Sequence, residues 1–361
     1  MAADNLPVRA DLAGLVPYGA PQLEVAVRLN VNENPFPPSS ELAADIGRAA
    51  AQAALSLNRY PDRDARQLRA DLADYLTRET DVPFMADQMW AANGSNEIML
   101  QLLQTFGGPD RVALGFAPTY SMYADYCRDS FTRYITTPRA PDFSVDIDAA
   151  VDAVREYRPD VVLLASPNNP TGTALPLATA VAILDTAPGM VVIDEAYAEF
   201  RRAGTPSAVE LLAAYPRLIV TRTMSKAFGL AGARVGYLAA SEAVVDAVQL
   251  VRLPYHLSAI TQAVARAALA HADHLQEQIL LVRAERDALV DWLRGREFVV
   301  ADSDANFVLF GEFEDRHAIW QGLLERGVLI RETGPTGWLR VSIGTPEENA
   351  AFRAALVEVT V

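Results

Sequence analysis

The residues best suited to chemistry lie together between positions 221 and 237, around the motif Ser-Lys-Ala-Phe-Gly-Leu-Ala-Gly-Ala-Arg. Lys226 stands there between two small hydroxyl residues, Thr223 and Ser225, and a glycine-rich run that ends in Arg234. A lysine among small groups loses its proton more easily than one on an open surface, and a neutral amine can attack a carbonyl. Hydroxyl groups and an arginine suit a phosphate. The motif therefore indicates a ligand that is both an aldehyde and a phosphate ester, and pyridoxal phosphate is such a molecule.

Two turns elsewhere in the chain hold hydrogen-bond donors beside apolar runs. The motif Asn-Gly-Ser-Asn-Glu at 93–97 opens an apolar helix, so several of its backbone N–H groups point at one spot and form either an anion site or an ordinary helix start. The motif Ser-Pro-Asn-Asn-Pro-Thr-Gly at 166–172 follows a buried run and holds the amides of two adjacent asparagines, Asn168 and Asn169, in a rigid turn. Because Asn, Pro and Gly are all turn formers, these amides are either ligand donors or part of a plain turn.

Asp194 ends the apolar run Met-Val-Val-Ile, where an unpaired carboxylate is costly. We therefore expect a cation beside it. A protonated pyridine nitrogen would serve, and the carboxylate would make that ring a better electron acceptor. A salt bridge or a helix cap would explain the same position without catalysis.

Arg331 and Arg340 lie at the ends of two predicted short strands, in Val-Leu-Ile-Arg and Trp-Leu-Arg-Val. Arginine binds carboxylate or phosphate through a planar fork, although a single arginine is often only a solvated surface charge. Two tyrosines are similarly ambiguous. Tyr120 either stacks on a flat ring or packs in the core, and Tyr60, in Asn-Arg-Tyr-Pro-Asp, either contacts a ligand or packs where a helix begins.

His271 and His274 lie three residues apart on a predicted helix and can share one face. No carboxylate or cysteine pattern in the sequence completes a metal site around them, so we predict surface histidines and no metal. The sequence also contains no P-loop, no Gly-x-Gly-x-x-Gly after a strand and no mark of a Ser-His-Asp nucleophile site.

The composition restricts the possible partners. The chain has 361 residues and a net charge of −15, which argues against nucleic acid and anionic membranes but not against a small phosphorylated ligand. Its single cysteine, Cys127, fits a reducing compartment. No segment reads as a membrane span or a signal peptide. We therefore predict a soluble, cytoplasmic protein.

Short β-branched runs, such as 161–165 and 190–193, alternate with helical patterns between about residues 60 and 250. Such runs are typical of strands buried on both faces, so the pattern predicts a mostly parallel α/β sheet with ligands at the carboxyl ends of its strands. The last third of the chain predicts a second, smaller α/β layer. The domains that we expect are an N-terminal arm at 1–28, a small domain at 29–50 and 253–361, and a large cofactor-binding domain at 51–252.

Local patterns also predict the bounds of several elements. Ser40 is the expected N-cap of a helix that runs to Leu55. Helical periodicity from Ser258 to Arg294 predicts a helix with one break, and residues 328–331 are predicted to form one short strand.

The order of these motifs resembles that of the fold type I, class II pyridoxal-phosphate aminotransferases. Gly-Ser-Asn-Glu, Pro-Thr-Tyr, Ser-Pro-Asn-Asn-Pro-Thr-Gly, Asp-Glu-Ala-Tyr and the lysine motif follow one another as in that family. Leu-Asn-Val-Asn-Glu-Asn-Pro at 29–35, Arg-Tyr-Pro-Asp at 59–62 and Leu-Arg-Val-Ser-Ile-Gly at 339–344 are most similar to the histidinol-phosphate aminotransferase family. The resemblance spans nearly the whole chain. It implies a large domain whose mostly parallel mixed sheet lies between helices, and a smaller α/β domain.

The resemblance also implies a role for each matching residue. Lys226 would hold pyridoxal phosphate covalently and then carry the transferred proton as base and acid. Asp194 would pair with the pyridinium nitrogen, and Tyr120 would stack on the ring. The other implied contacts are Asn169 and Tyr197 with the ring oxygen; Ser95, Asn96, Thr223, Ser225, Arg234 and the partner subunit's Tyr60 with the phosphate; Arg340 with the substrate α-carboxylate; Tyr18 and Arg331 with the far end of the substrate, Arg331 through its phosphate; and Asn32 at the border of the same pocket.

The implied reaction belongs to histidine biosynthesis and takes place in a homodimer with a shared active site. Glutamate would give its amino group to the cofactor, which would pass it to imidazole-acetol phosphate; the reverse reaction would use histidinol phosphate and 2-oxoglutarate. The main alternative is an aromatic amino-acid aminotransferase, which would differ only at the far end of the pocket. More distant alternatives are a decarboxylase of a phosphorylated amino acid and a non-catalytic regulator, for which the chain has no spare basic domain.

Overall fold

The computed structural model describes residues 6–360 of the chain. Its strands are β1 (Val27–Arg28), β2 (Met89–Ala92), β3 (Val112–Ala117), β4 (Arg133–Pro138), β5 (Val161–Ala165), β6 (Met190–Asp194), β7 (Leu218–Thr223), β8 (Gly236–Ala240), β9 (Val299–Val300), β10 (Phe307–Gly311), β11 (Val328–Leu329), β12 (Arg331–Glu332) and β13 (Trp338–Ser342). Its helices are α1 (Ser40–Ala54), α2 (Arg66–Thr80), α3 (Ser95–Phe106), α4 (Met122–Asp129), α5 (Ile147–Tyr157), α6 (Leu177–Thr186), α7 (Glu242–Gln249), α8 (Ala259–Ala270), α9 (Ala272–Arg294), α10 (Arg316–Glu325) and α11 (Pro346–Thr360). None of the helices within residues 6–360 has both the length and the apolar character needed to cross a membrane.

Seven strands form the central sheet, in the order β2-β8-β7-β6-β5-β3-β4. From β7 to β4 every neighbouring pair is parallel, whereas β8 is antiparallel to both β7 and β2. The mostly parallel α/β sheet predicted from the sequence is therefore confirmed. Its parallel strands place their carboxyl ends along one edge, where Asp194 and the lysine motif follow β6 and β7.

Strand β5 shows why the buried runs lack alternation of polar and apolar residues. Val161 and Leu163 belong to a core on one face of the sheet, and Val162 and Leu164 belong to the core on the other face. Successive side chains of a strand point to opposite faces, so a strand covered on both sides needs an apolar residue at every position.

The N-terminal segment is tied to the last third of the chain. Strand β1 pairs in parallel with β11, and the backbone carbonyl of Leu29 accepts a hydrogen bond from the N–H of Ser342 at 2.9 Å. A second sheet, in the order β12-β13-β10-β9, is antiparallel throughout. These contacts agree with grouping 29–50 with 253–361, and the domain division itself stays a prediction.

Two predicted bounds are wrong, and one is made more specific. The N-cap of α1 is Ser39 instead of Ser40, because the Ser39 hydroxyl accepts the N–H of Leu42 at 3.1 Å. Residues 328–331 contribute to two strands instead of one, since β11 pairs with β1 and β12 pairs with β13. The break predicted in the helix from 258 to 294 lies at His271.

A buried ion cluster fixes the chain that follows β6. Arg222 of β7 is fully buried and contacts Glu195 at 2.8 Å, Glu79 of α2 at 3.1 Å and Glu199 at 3.4 Å. Glu195 directly follows Asp194, so the cluster fastens the end of β6 to β7 and α2. Removing one partner of such a cluster leaves uncompensated buried charge, which is far more costly than the loss of a surface pair.

Replacing Arg222 with Met should lower the free energy of unfolding by about 3–5 kcal/mol, because three carboxylates lose their shared cation. The matched control is Arg266→Met, which breaks the more exposed contact of Arg266 with Asp71 at 2.6 Å. That change should cost less than about 1 kcal/mol. Denaturant unfolding of both variants measures the difference, and equal costs would contradict the role given to Arg222.

Candidate active site

A cleft opens at the carboxyl ends of the central strands. The structure places fourteen of the fifteen predicted site residues in its lining and leaves out Tyr60. The fourteen are Tyr18, Asn32, Ser95, Asn96, Tyr120, Asn169, Asp194, Tyr197, Thr223, Ser225, Lys226, Arg234, Arg331 and Arg340. Residues from near both ends of the chain therefore meet in one place. The role of each stays a prediction.

Lys226 is the only lysine of the chain. Its Nζ donates a hydrogen bond to the backbone carbonyl of Val31 at 2.9 Å. Burial, followed by the positive charges of Arg340 and Arg234, lowers the pKa of Lys226 to about 8. A larger part of the amine is therefore neutral near physiological pH than for an ordinary lysine, and the neutral form is the one that attacks a carbonyl.

Asp194 is buried, and its hydrogen-bond partners are neutral. Oδ1 accepts from the hydroxyl of Thr221 at 3.1 Å and from the N–H of Ala196 at 3.2 Å, and Oδ2 accepts from the hydroxyl of Tyr123 at 3.1 Å. Burial raises the pKa of Asp194 to about 6, and these three hydrogen bonds limit the rise. A cationic group bound in the cleft would favour the ionised carboxylate and lower this pKa.

Tyr123 and Thr221 are the partners that sequence reasoning missed. Thr221 lies directly opposite Asp194 in the register of β7 with β6. A polar residue in the buried run of β7 was the sequence signal that could have identified it as a partner. Tyr123 comes from α4, 71 residues before Asp194, and no local pattern connects the two.

Anion-binding groups gather where α3 begins. Ser95 and Asn96 are its first two residues, so their backbone N–H groups have no partner within the helix. Arg234 donates to the hydroxyl of Ser225 at 3.1 Å on the same side of the cleft. A Cβ on Gly236 would collide with the backbone nitrogen of Ser95, so β8 can approach this turn only with glycine at that position. Helix start, guanidinium and hydroxyl together fit a phosphate.

Three side chains from distant segments meet beside the lysine. The hydroxyl of Tyr197 accepts a hydrogen bond from Nδ2 of Asn32 at 3.0 Å, which leaves its own proton available to a ligand. Asn32 is buried with a left-handed φ of 56°, and its N–H donates to Oγ of Ser342 at 2.8 Å. Oδ1 of Asn169 accepts from Arg340 at 2.6 Å, so its amide N–H groups remain as donors.

Two arginines that line the cleft occupy opposed positions on neighbouring strands. Arg331 of β12 is directly opposite Arg340 of β13 in the antiparallel register. Arg340 is 6% exposed and donates to the backbone carbonyl of Asn30 at 2.9 Å. Its burial lowers the pKa of Arg340, and the charge of Arg331 acts in the same direction. Like charges at opposed positions repel each other, so this pair favours an anion in the cleft.

The predicted tyrosines occupy three different settings. Tyr120 lines the cleft, and its ring packs edge to face against the ring of Tyr123, with the two centroids 5.6 Å apart. Tyr18 lines the cleft from the N-terminal segment and is 56% exposed. Tyr60 is 79% exposed outside the cleft of its own chain and stacks on Tyr255 with centroids 4.3 Å apart.

Known proteins resemble the chain over nearly its whole length. The sequence model of the family described as aminotransferase class I and II matches residues 24–356. A Thermobifida fusca (strain YX) protein named histidinol-phosphate aminotransferase is 64% identical over 357 residues, which cover 99% of this chain and 96% of that protein. Histidinol-phosphate aminotransferase 3 of Burkholderia lata is 63% identical, with 99% and 97% covered. The crystal structure of histidinol-phosphate aminotransferase from Sinorhizobium meliloti in complex with pyridoxal-5'-phosphate aligns with a TM-score of 0.82 and 28% identity, covering 93% of this chain and 91% of that one.

Lys226 should react with a small amine-directed reagent as a group of lowered pKa. In cofactor-free protein its modification rate should reach half its maximum at about pH 8, instead of near the ordinary lysine value of about 10.4. Arg340→Gln should move this midpoint to higher pH, because a nearby positive charge is lost. Mass spectrometry can follow the reaction without interference from other lysines. An unchanged midpoint near pH 10.4 would contradict the lowered pKa.

Proposed function

This chain belongs to the class I and II aminotransferase family with a fold type I architecture, and from that premise we propose that it is a histidinol-phosphate aminotransferase. It would catalyse the reversible transfer of an amino group from L-histidinol phosphate to 2-oxoglutarate, which gives imidazole-acetol phosphate and L-glutamate. This reaction would belong to histidine biosynthesis in the cytoplasm. The observation that carries the proposal is the meeting of Lys226, the buried Asp194 and the paired Arg331 and Arg340 in one cleft.

The cleft residues fit pyridoxal phosphate at several points. Within residues 6–360 the hydrogen-bond partners of Asp194 include no cation, and the protonated ring nitrogen would supply one. The start of α3 and Arg234 suit the phosphate, and the amine of Lys226 suits the aldehyde. The contacts that we assign to the ring are Asn169 and Tyr197 with its oxygen and Tyr120 with its face, and those that complete the phosphate site are Ser95, Asn96, Thr223 and Ser225.

Pyridoxal phosphate, when bound, supplies an aldehyde that takes up the amino group and a ring that accepts the electron pair of the broken C–H bond. Lys226 would hold this group through its amine. As base and acid, the same amine would take up the substrate's α-proton and return a proton on the other side of the transferred nitrogen. The lowered pKa of about 8 in the ligand-free cleft would suit an amine that takes up and releases that proton near neutral pH. The negative charge of Asp194 would favour a protonated ring nitrogen.

The two amino donors place different anions in the same cleft. Glutamate carries an α-carboxylate and histidinol phosphate carries a phosphate, and both anions accept the planar fork of an arginine. We assign the carboxylate to Arg340 and the phosphate of histidinol phosphate to Arg331, with Tyr18 and Asn32 beside them. The opposed positions of Arg331 and Arg340 support this assignment, because an anion between them relieves their repulsion.

Replacing Arg331 with Gln should reduce kcat/KM for histidinol phosphate by on the order of a hundredfold, since charge-assisted hydrogen bonds to the phosphate are lost. The rate with phenylalanine, which has no phosphate, should change by less than about threefold. Arg331→Lys is the matched control and should fall between, because it keeps the charge and loses the fork.

Steady-state kinetics with a panel of amino donors tests the proposal as a whole. The wild type should prefer histidinol phosphate to phenylalanine by about 10⁴-fold, because a site built around a phosphate rejects a substrate that lacks one. Equal kcat/KM for the two donors would favour the aromatic amino-acid aminotransferase instead, and release of CO₂ would indicate a decarboxylase.

We also propose that two copies of the chain form a dimer with shared active sites. Six large apolar or aromatic side chains are exposed on two neighbouring segments, which Tyr60 and Tyr255 join by stacking. They are Leu55, Leu57, Tyr60, Leu250, Leu253 and Tyr255. A surface of this kind is typical of a protein interface. The backbone carbonyl of His256 accepts a hydrogen bond from Asn93, two residues before Ser95, so this surface adjoins the proposed phosphate site.

Mixing two inactive variants tests the shared site. Lys226→Ala and Tyr60→Ala should each be strongly impaired alone. After denaturation and joint refolding in equal amounts, half of the dimers carry both variants, and each of these has one intact site. Activity should therefore recover to about a quarter of the wild-type value. Activity no higher than the mean of the two separate variants would contradict a site that Tyr60 completes from the partner.

A further inference from the structure

Two of the chain's four histidines, His271 and His274, lie beside carboxylates of α1. The potential ligand atoms of Glu41, His271 and His274 all lie within 4.8 Å of one another. Asp45 adds a second carboxylate, whose Oδ2 lies 2.6 Å from Nε2 of His271. The sequence alone predicts surface histidines here, because the carboxylates that complete the cluster lie about 230 residues away along the chain.

The local structure explains how the four side chains meet. His271 ends α8 and precedes α9, and the N–H of His274 donates to its carbonyl at 3.1 Å. One helical turn therefore separates the imidazoles, whose rings lie within 28° of parallel with centroids 6.1 Å apart. Glu41 and Asp45 are four residues apart and share one face of α1, which packs against α8.

Two imidazoles and a carboxylate form a ligand set for a borderline divalent cation such as Zn²⁺. Hard cations such as Ca²⁺ and Mg²⁺ prefer oxygen ligands only, so the imidazoles argue against them. We propose that Glu41, His271 and His274 bind one zinc-class cation per chain, with Asp45 orienting the ring of His271. A carboxylate hydrogen-bonded to an imidazole is a common partner of metal-ligating histidines.

The side chains have room to close around an ion. Tetrahedral zinc ligands stand about 3.4 Å apart, and two of the three proposed ligands, Glu41 and His274, are exposed and can adjust their rotamers. Arg48 contacts Asp45, and within residues 6–360 no salt bridge engages the carboxylate of Glu41. Water would fill the remaining coordination position, because the cluster is open to solvent.

A metal at this position would join α1 to the junction of α8 and α9. Helix α1 follows the segment that carries Asn32 and the carbonyl contacting Lys226, so the ion would fasten one wall of the cleft from outside. None of the three proposed ligands lines the cleft. The proposal therefore does not depend on which substrate the enzyme uses.

Zinc titration of the tag-free holoenzyme by calorimetry, with metal analysis after dialysis, tests the proposal. Wild type should bind one Zn²⁺ per chain, and His274→Ala and Glu41→Gln should each bind it at least about tenfold more weakly. Both positions are exposed, so neither change should disturb folding. His317→Ala is the matched control, because His317 is a single exposed imidazole beside Glu332 and should leave binding unchanged.

Thermal unfolding supplies a second measurement, since an ion that binds only the folded chain stabilises it. Added zinc should raise the Tm of wild type and of His317→Ala and should not raise that of His274→Ala. The absence of saturable binding in wild type, or equal binding by wild type and His274→Ala, would overturn the proposal.

Discussion

A carboxylate removed from water is the constraint on which the cleft depends. Asp194 lies at the end of a strand buried on both faces. Its hydrogen-bond partners in the described part of the chain are neutral: the hydroxyls of Thr221 and Tyr123 and one backbone N–H. Burial of an ion is costly without a partner of opposite charge, so this position favours the binding of a cationic ligand. The cluster around Arg222 fixes the next residue, Glu195.

The second element of the site is the N-terminal segment that closes it. The carbonyl of Asn30 accepts from Arg340, that of Val31 accepts from Lys226, and the side chain of Asn34 donates to the carbonyl of Ala227 at 3.0 Å. This segment continues from β1, which pairs with β11, so it belongs to the sheet system of the last third of the chain. It therefore connects Lys226 of the central sheet to Arg340 of the second sheet. A shift between the two sheets would alter the contacts of both side chains with this segment.

The sequence was sufficient to place a residue in the cleft wherever that residue lies at the end of a recognisable strand or in a motif. Asp194 ends one buried run and Lys226 follows another, so both could be placed at the sheet edge from the sequence, and the order of motifs implied their roles. Tyr123 and the carbonyl of Asn30 reach the site through tertiary packing, which no local spacing encodes. The division of residues 328–331 between two sheets also depends on tertiary packing, because it follows from which strands β11 and β12 pair with. The pairing of His271 with Asp45 likewise depends on how α1 packs against α8.

The most direct test of the account is single-turnover transfer of the amino group from glutamate in Asp194→Asn, followed by the cofactor's visible absorbance. The amide keeps the shape of the carboxylate and removes its charge. We predict that this variant still binds pyridoxal phosphate covalently and that its transfer rate falls by on the order of a hundredfold or more. Thr221→Val, which removes one hydrogen bond and keeps the charge, should lose less than about tenfold. A rate for Asp194→Asn within threefold of wild type would contradict the central role of the buried charge.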